Sequence, residues 1–126
     1  MERTIIHTQD APAPIGPYNQ AVQADNLVFV SGQVALDPQS GEMKNADLIT
    51  ETHQVMKNLQ AVLNAAGCDF NHVVKTTIFL SDMQLFTQVN EIYGSYFQGN
   101  YPARETVAVK GLPKNANVEI SVIAAR

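Results

Sequence analysis

Arg104 is the residue of this sequence most easily connected with a ligand, because a guanidinium can bind a carboxylate through two parallel hydrogen bonds. Pro102 stands two residues earlier and marks the point at which a helix gives way to a strand. Alternation along that strand places Arg104 and Thr106 on one face and Val107 and Val109, the expected core side, on the other. Arg104 is therefore predicted to point into whatever the opposite face encloses. Taken alone, however, this segment is explained more readily by an Arg104 side chain that is solvated at a strand end than by one that binds a ligand.

A carboxylate that could work with Arg104 lies in the last strand, predicted over residues 118–124. Its apolar residues alternate and are expected to face the core, which turns Glu119 and Ser121 the other way. A turn over 111–116 indicates that this strand forms a hairpin with the Arg104 strand. If Lys110 pairs with Asn117, Arg104 and Glu119 share one face with their backbones about 13 Å apart, far enough to hold a ligand between them. A longer loop or a bulge would change this register.

Three further polar or aromatic residues are candidates for the same pocket. Tyr18 ends a stiff segment with three prolines, so it is either presented at a set position or packed as an ordinary aromatic. Ser31 opens Ser31-Gly32-Gln33, where glycine permits a bulge, a close ligand or a plain strand-end turn. Asn90 lies off the centre of the apolar stripe of its helix and reaches either a pocket edge or water.

Composition and charge exclude several classes of protein. The 126 residues suit a single domain over 1–126, and 45% hydrophobic with 16% charged residues is ordinary for a globular chain. A net charge of −4 without a basic run makes nucleic acid an improbable main partner. One cysteine, Cys68, and a beginning without an apolar leader or membrane-spanning run favour a cytoplasmic protein. The three histidines lack ligand spacing, so no metal is predicted.

The order of elements is strands, helix, strand, helix, strands, which predicts an α+β domain with two helices on one face of a mixed sheet. The first helix is expected at about 47–66, capped by Asn45 or Asp47 and stopped by Gly67. The second should begin in a capping box at Ser81 and run to about Phe97. The uncovered sheet face, if apolar, would have to be buried against copies of the same chain.

Several short motifs spread over essentially the whole chain resemble the RidA/YjgF family of reactive-intermediate deaminases. Seven of them match the family pattern in order: Gly16-Pro17-Tyr18, Ser31-Gly32-Gln33, Ala66-Gly67, Val89-Asn90 with Tyr93, Pro102-Ala103-Arg104, Leu112-Pro113-Lys114 and Val118-Glu119-Ile120. The resemblance implies a chorismate-mutase-like fold and a homotrimer that forms a central barrel, with sites at the clefts between subunits.

The resemblance also implies an activity, the hydrolysis of 2-imino acids such as 2-iminopropanoate and 2-iminobutanoate to 2-oxo acids and ammonia. These imines arise from enamines such as 2-aminoacrylate, and no cofactor is needed. By analogy Arg104 binds the substrate carboxylate with help from the backbone N–H of Thr106, and Glu119 positions or deprotonates the attacking water. Tyr18, Ser31 and Asn90 would line the pocket. Beside Arg104, Glu119 is expected to stay ionised.

The sequence departs from the family after the arginine, where many members carry serine and cysteine and this chain has Glu105 and Thr106. Glu105 is expected to point to the face opposite Arg104, and threonine preserves a role played by the backbone amide. One alternative function is a regulatory trimer that binds a small 2-oxo or 2-imino acid without turnover and acts through a protein partner. Ribonuclease activity, described for some relatives, ranks last because the chain is acidic.

Overall fold

A computed structural model describes residues 2–126, which form one six-stranded sheet and two α-helices. The strands lie side by side in the order β1-β2-β3-β6-β4-β5. In chain order the elements are β1 Arg3–Ile6, β2 Ala21–Ala24, β3 Leu27–Gln33, α1 Leu48–Ala65, β4 Val73–Leu80, α2 Phe86–Gly94, β5 Ala103–Ala108 and β6 Val118–Ala125. This is the mixed α+β fold predicted from the order of the elements.

The pairing of the last two strands differs from the predicted hairpin. β5 lies at the edge of the sheet and runs parallel to β4, with Arg104 opposite Thr76. β6 instead enters between β3 and β4, antiparallel to both. The predicted pairing of Lys110 with Asn117 is therefore wrong. The physical reason is that α2 connects β4 to β5, and a helical crossover brings the second strand back parallel to the first.

The faces of β5 are also reversed relative to the sequence prediction. Arg104 shares its side of the sheet with Thr76, which is fully buried beneath the helices. Val107, expected in the core, lies on the open side and is 47% exposed. On β6 the expected alternation is confirmed, because Val118, Ile120 and Val122 are buried and Glu119 faces the open side. Arg104 and Glu119 thus lie on opposite faces of the sheet in one chain, and the prediction of a shared face is wrong.

Side-chain caps set the beginnings of the helices. Asp47, one of the two predicted caps, accepts a hydrogen bond from the Thr50 N–H at 2.7 Å, and Gly67 follows the helix at φ 75°. The capping box at Ser81 is wrong. Asp82 accepts from the Gln84 N–H instead and caps a short 3₁₀ turn ahead of α2, which ends at Gly94, earlier than predicted. None of the helices in residues 2–126 is long and apolar enough to cross a membrane.

The two helices cover one face of the sheet and leave the other face open. Core residues from α1 and the central strands are almost fully buried, including Met56, Leu59 and Ile78. On the open face, neighbouring strands present apolar side chains to solvent. Ile5 is 58% and Phe29 43% exposed. A contiguous apolar sheet face of this kind is typical of a surface that another chain covers.

Candidate active site

Arg104 is surrounded by three side chains that α2 presents from one side. Its Nη1 donates to the Asn90 Oδ1 at 2.5 Å. The guanidinium carbon lies 5.2 Å from the ring centroid of Tyr93 and 5.5 Å from that of Phe86, both within cation–π range. Phe86, Asn90 and Tyr93 follow each other at four- and three-residue steps, so they lie along one helix face. The arginine is held in place by the helix that follows β4.

An open groove of about 660 Å³ leads to Arg104 from the solvent. It passes between the end of α2 and the start of β5, and its walls are Asn90, Glu91, Tyr93, Gly94, Ser95, Tyr101, Pro102 and Arg104. An arginine at one end of an open groove, with donors still free beside its contact to Asn90, is suited to receive a carboxylate. We call Arg104, Asn90 and Thr106 the arginine cluster.

Thr106, the third member of the arginine cluster, follows Arg104 on the same face of β5. Its Oγ1 is buried, and among residues 2–126 it is the side-chain polar atom that is buried without a hydrogen-bond partner. Apolar residues of β4 and α2 surround it, including Ile78, Leu80 and Val89. A buried hydroxyl without a partner destabilises the folded chain.

Replacing Thr106 with valine, which has nearly the same shape, is therefore expected to raise the free energy of unfolding by about 1 kcal/mol. The measurement is urea unfolding of the purified protein. Thr106→Ser is the matched control, because it keeps the hydroxyl and removes the methyl group, and it should lower stability. A destabilised Thr106→Val protein would show that the hydroxyl has a partner and would contradict the prediction.

The other predicted site residues, Tyr18, Ser31 and Glu119, form a second group, which we call the glutamate cluster. Of the alternatives that the sequence left open for Gly32, the structure shows a bulge, since the register of β3 against β6 shifts between Val30 and Gln33. Within the bulge, Gly32 brings the backbone so close that an added Cβ would lie 2.5 Å from the Glu119 Oε2. Ser31 donates from its Oγ to the Asn19 carbonyl at 2.6 Å.

Tyr18 reaches the same area from the proline-rich loop. It is 50% exposed and lines a small cavity together with Gly32. Gln20, which is 2% exposed, fastens this loop: its Nε2 donates to the carbonyls of Thr8 and Pro12, and its Oε1 accepts from the Thr8 N–H. Tyr18 is thus presented at a set position, as the stiffness of the loop suggested.

Burial raises the pKa of the Glu119 carboxyl above its ordinary value of 4.5. The sequence-based expectation was the reverse, that a neighbouring Arg104 would keep Glu119 ionised, and it fails within one chain because the two lie on opposite faces. A carboxylate with a raised pKa is a better proton acceptor, which suits a general base.

Gly32 allows Glu119 its present position, so Gly32→Ala is expected to push the carboxylate aside. The clash is with the flexible end of a side chain, and the fold should therefore survive while any proton transfer by Glu119 slows about tenfold. Turnover of 2-iminobutanoate, a substrate that the family resemblance implies, measures the effect, with circular dichroism to confirm folding. Gly111→Ala is the control, since no atom lies within 4 Å of its added Cβ. Unchanged turnover in Gly32→Ala would count against a catalytic Glu119.

The structure therefore brings the six predicted site residues together as two groups of three, the arginine cluster and the glutamate cluster, on different faces of one chain. Sequence analysis did not name Phe86 or Tyr93 as site residues; both lie on the apolar stripe of α2, where Tyr93 is buried in the core and Phe86 packs against it. Their spacing around Asn90 was the available signal. Glu105 points to the face opposite Arg104 as predicted, although that face is the open one and not the core side, and its Oε1 pairs there with the Lys75 Nζ at 3.0 Å.

The remaining reactive side chains have ordinary structural roles. Cys68 is buried, and burial raises the pKa of its thiol, which disfavours the nucleophilic thiolate. His53 contacts the Tyr96 hydroxyl at 2.7 Å, and His72 pairs with Asp69. Within residues 2–126, no three histidine, cysteine or acidic side chains are grouped so that they could hold a metal ion.

The fold and the arginine cluster define an α+β protein with a candidate site for a small carboxylate. Residues 8–126 match the family described as Endoribonuclease L-PSP. A mouse protein named 2-iminobutanoate/2-iminopropanoate deaminase is 54% identical over 122 residues, 97% of this chain and 90% of the relative. The chain belongs to the RidA/YjgF family.

Solved structures agree with this assignment over nearly the full length. RidA from the Antarctic bacterium Psychrobacter sp. superposes with a TM-score of 0.94 at 38% identity, covering 98% of this chain and 99% of that one. TdcF of E. coli with bound serine gives a TM-score of 0.93 at 40% identity and 98% coverage of both chains.

Proposed function

We propose that this protein hydrolyses reactive 2-imino acids, such as 2-iminopropanoate and 2-iminobutanoate, to 2-oxo acids and ammonia. The observation that carries the proposal is Arg104, placed at the end of an open groove and braced by two aromatic rings and Asn90. Relatives about half identical to this chain are named for this reaction. Such imines arise by tautomerisation of the enamines that pyridoxal-phosphate dehydratases release, and we place the protein in the cytoplasm.

The reaction requires few functional groups from the protein. The imine carbon is already electrophilic, so the site must fix the carboxylate, orient one water and move protons. In the proposed mechanism Arg104 binds the carboxylate. The substrate reacts as the protonated imine: the water oxygen bonds to C2, Glu119 takes one proton from that water, and the electron pair of the C=N π bond moves to nitrogen, which gives a neutral carbinolamine. Glu119 then returns its proton to the amine nitrogen. The C–N bond breaks with its electron pair leaving on ammonia, the hydroxyl proton passes back to Glu119 and on to solvent, and the carbonyl of the 2-oxo acid forms. No step in this sequence calls for a cofactor.

We further propose that the working site lies between two copies of the chain in a homotrimer. Arg104 and Glu119 face opposite sides of one sheet, so a substrate cannot contact both within a single chain. The apolar open face offers a surface through which copies can pack. The arginine cluster of one copy would then meet the glutamate cluster of its neighbour, and three equivalent clefts would surround a central barrel.

The function is tested by generating 2-iminobutanoate with a dehydratase and following its decay alone, with the native chain and with Arg104→Ala. Acceleration by the native chain alone supports the proposal. Binding of a 2-oxo acid without acceleration, across several imino-acid side chains, would favour the regulatory trimer that senses a small ligand. The description of the family as an endoribonuclease supports a third function, ribonuclease activity. A net charge of −4 argues against it, because a groove that binds RNA needs positive charge.

The shared site has its own test, the mixing of two inactive variants. After Arg104→Ala and Glu119→Gln chains are unfolded and refolded together, random trimers should recover about a quarter of native activity if each cleft takes its arginine and its glutamate from different copies. No recovery is expected if both residues serve the same cleft from one copy. Mass measurement in solution establishes whether the chain is a trimer.

A further inference from the structure

Tyr93 lies outside every residue set that the sequence assigned to the site, yet it contacts the candidate carboxylate-binding group directly. It is 3% exposed, and its ring centroid lies 5.2 Å from the guanidinium carbon of Arg104. Its hydroxyl donates to the Thr76 Oγ1 at 2.9 Å in a buried hydrogen bond. One side chain of α2 therefore joins the arginine to the neighbouring strand.

The anchor of Tyr93 is well placed to control Arg104. Thr76 is fully buried and stands directly opposite Arg104 in the parallel ladder of β4 and β5. The ring is thus tied to the backbone position beside the arginine whose side chain it contacts. A shift of the ring relative to Arg104 would break a buried hydrogen bond, which is costly because no water replaces it.

Two other side chains of α2 also contact the guanidinium. Phe86 provides a second ring at 5.5 Å, and Asn90 accepts one N–H. An arginine held in this way has lost much of its rotational freedom before any ligand arrives, so less is lost on binding. Tyr93 differs from Phe86 in having its position fixed by a hydrogen bond at the far end of the ring.

We propose that Tyr93, anchored by Thr76, is a positioning residue that holds the Arg104 guanidinium in the orientation required to bind the substrate carboxylate. This role rests on the proposed function for its biological meaning. The alternative is that Tyr93 only fills the core beside Phe97, whose ring centroid lies 4.8 Å away. Core packing needs the ring but not its hydroxyl, whereas positioning needs both.

The test compares Tyr93→Phe and Thr76→Val, which remove the anchor and keep the volume, with Tyr93→Leu, which removes the ring. Tyr96→Phe is the matched control, because it deletes a hydroxyl bonded to His53 in the same aromatic cluster without touching Arg104. For each variant we would measure the Kd of 2-oxobutanoate by calorimetry, KM and kcat for 2-iminobutanoate, thermal stability, and the order of the Arg104 side chain by ¹⁵N NMR.

Tyr93→Phe and Thr76→Val, which lose the anchor, are expected to raise Kd and KM about fivefold and to keep kcat within about twofold of native. Tyr93→Leu, which loses the ring, is expected to raise Kd and KM about tenfold or more. The double variant Tyr93→Phe with Thr76→Val should match either single variant, since both break one hydrogen bond. Tyr96→Phe should lower stability comparably and leave Kd unchanged. Arg104 should become more mobile in Tyr93→Phe but not in Tyr96→Phe.

The outcomes separate this inference from the proposed function. If the native chain hydrolyses imine and Tyr93→Phe leaves Kd, KM and Arg104 mobility as they were, the positioning role is wrong and the function stands. If the native chain hydrolyses no imine but the variants bind 2-oxobutanoate more weakly, the function is wrong and the positioning role stands. Should the native chain bind no 2-oxobutanoate, unchanged Arg104 mobility in Tyr93→Phe is enough to overturn the inference.

Discussion

Replacing Arg104 with lysine is expected to lower kcat/KM for 2-iminobutanoate about 100-fold, and replacement with alanine at least as much. A lysine keeps the positive charge but is a point donor that cannot bind a carboxylate through two parallel hydrogen bonds. It also loses the planar contact with the rings of Tyr93 and Phe86 and the bond to Asn90. A 100-fold loss corresponds to about 2.7 kcal/mol of transition-state stabilisation, a reasonable value for two charge-assisted hydrogen bonds.

The control for this prediction is Lys110→Ala, which removes an exposed positive charge shortly after β5. Because exposed single charges contribute little, its kcat/KM should remain within about twofold of native. Unfolding should be followed for every variant, so that a lost fold is not mistaken for a lost ligand contact. Equal activity of the native and Arg104→Lys proteins would show that two parallel hydrogen bonds to the carboxylate are not required, and equal activity of Arg104→Ala would remove Arg104 from the catalytic site.

Glu119→Gln is expected to lower kcat about 100-fold or more while it makes the folded chain more stable at pH 7. The amide cannot take a proton from water, so the base-catalysed part of the rate disappears. Burial raises the pKa of Glu119, which means that its ionised form is disfavoured in the folded state. A neutral amide avoids that cost. Opposite changes in activity and stability are the signature of a residue kept for function.

The raised pKa of the Glu119 carboxyl also predicts how stability and activity depend on pH. A carboxyl with a raised pKa in the folded chain binds its proton more tightly there than in the unfolded chain, so its cost to stability is present at neutral pH. That cost is relieved as the pH falls through the raised pKa. The stability difference between Glu119→Gln and native should therefore shrink in acid, and native kcat should fall over the same pH range as the base becomes protonated.

These measurements need a second acidic residue for comparison. Glu42→Gln changes an exposed carboxyl that belongs to neither cluster and should leave kcat as it is in the native chain. If Glu119→Gln retained native kcat, a different group would have to activate the water. If it lost kcat but was less stable than native at pH 7, the carboxylate would have structural partners in the assembled protein.

Much of the local structure was determined by the sequence alone. The alternation of Val118, Ile120 and Val122 gave the buried face of β6, because a half-buried strand needs apolar residues at every second position. Asp47 and Gly67 bound α1 through local cap chemistry. Motifs distributed over the whole chain also led to the correct family. The strand alternation, the helix caps and each motif can be recognised from residues that are close together in the sequence.

Only the tertiary structure decided which strands are neighbours and which face of β5 the helices cover. Turn residues between Arg104 and Glu119 favoured a hairpin, but α2 brings β5 back parallel to β4, and β6 enters on the other side of β4. Alternation divides a strand into two faces without saying which one is buried, and an edge strand with few buried residues gives little help. Because pairing and packing are long-range, the separation of Arg104 from Glu119, and with it the case for a site shared between copies, could come only from the folded chain.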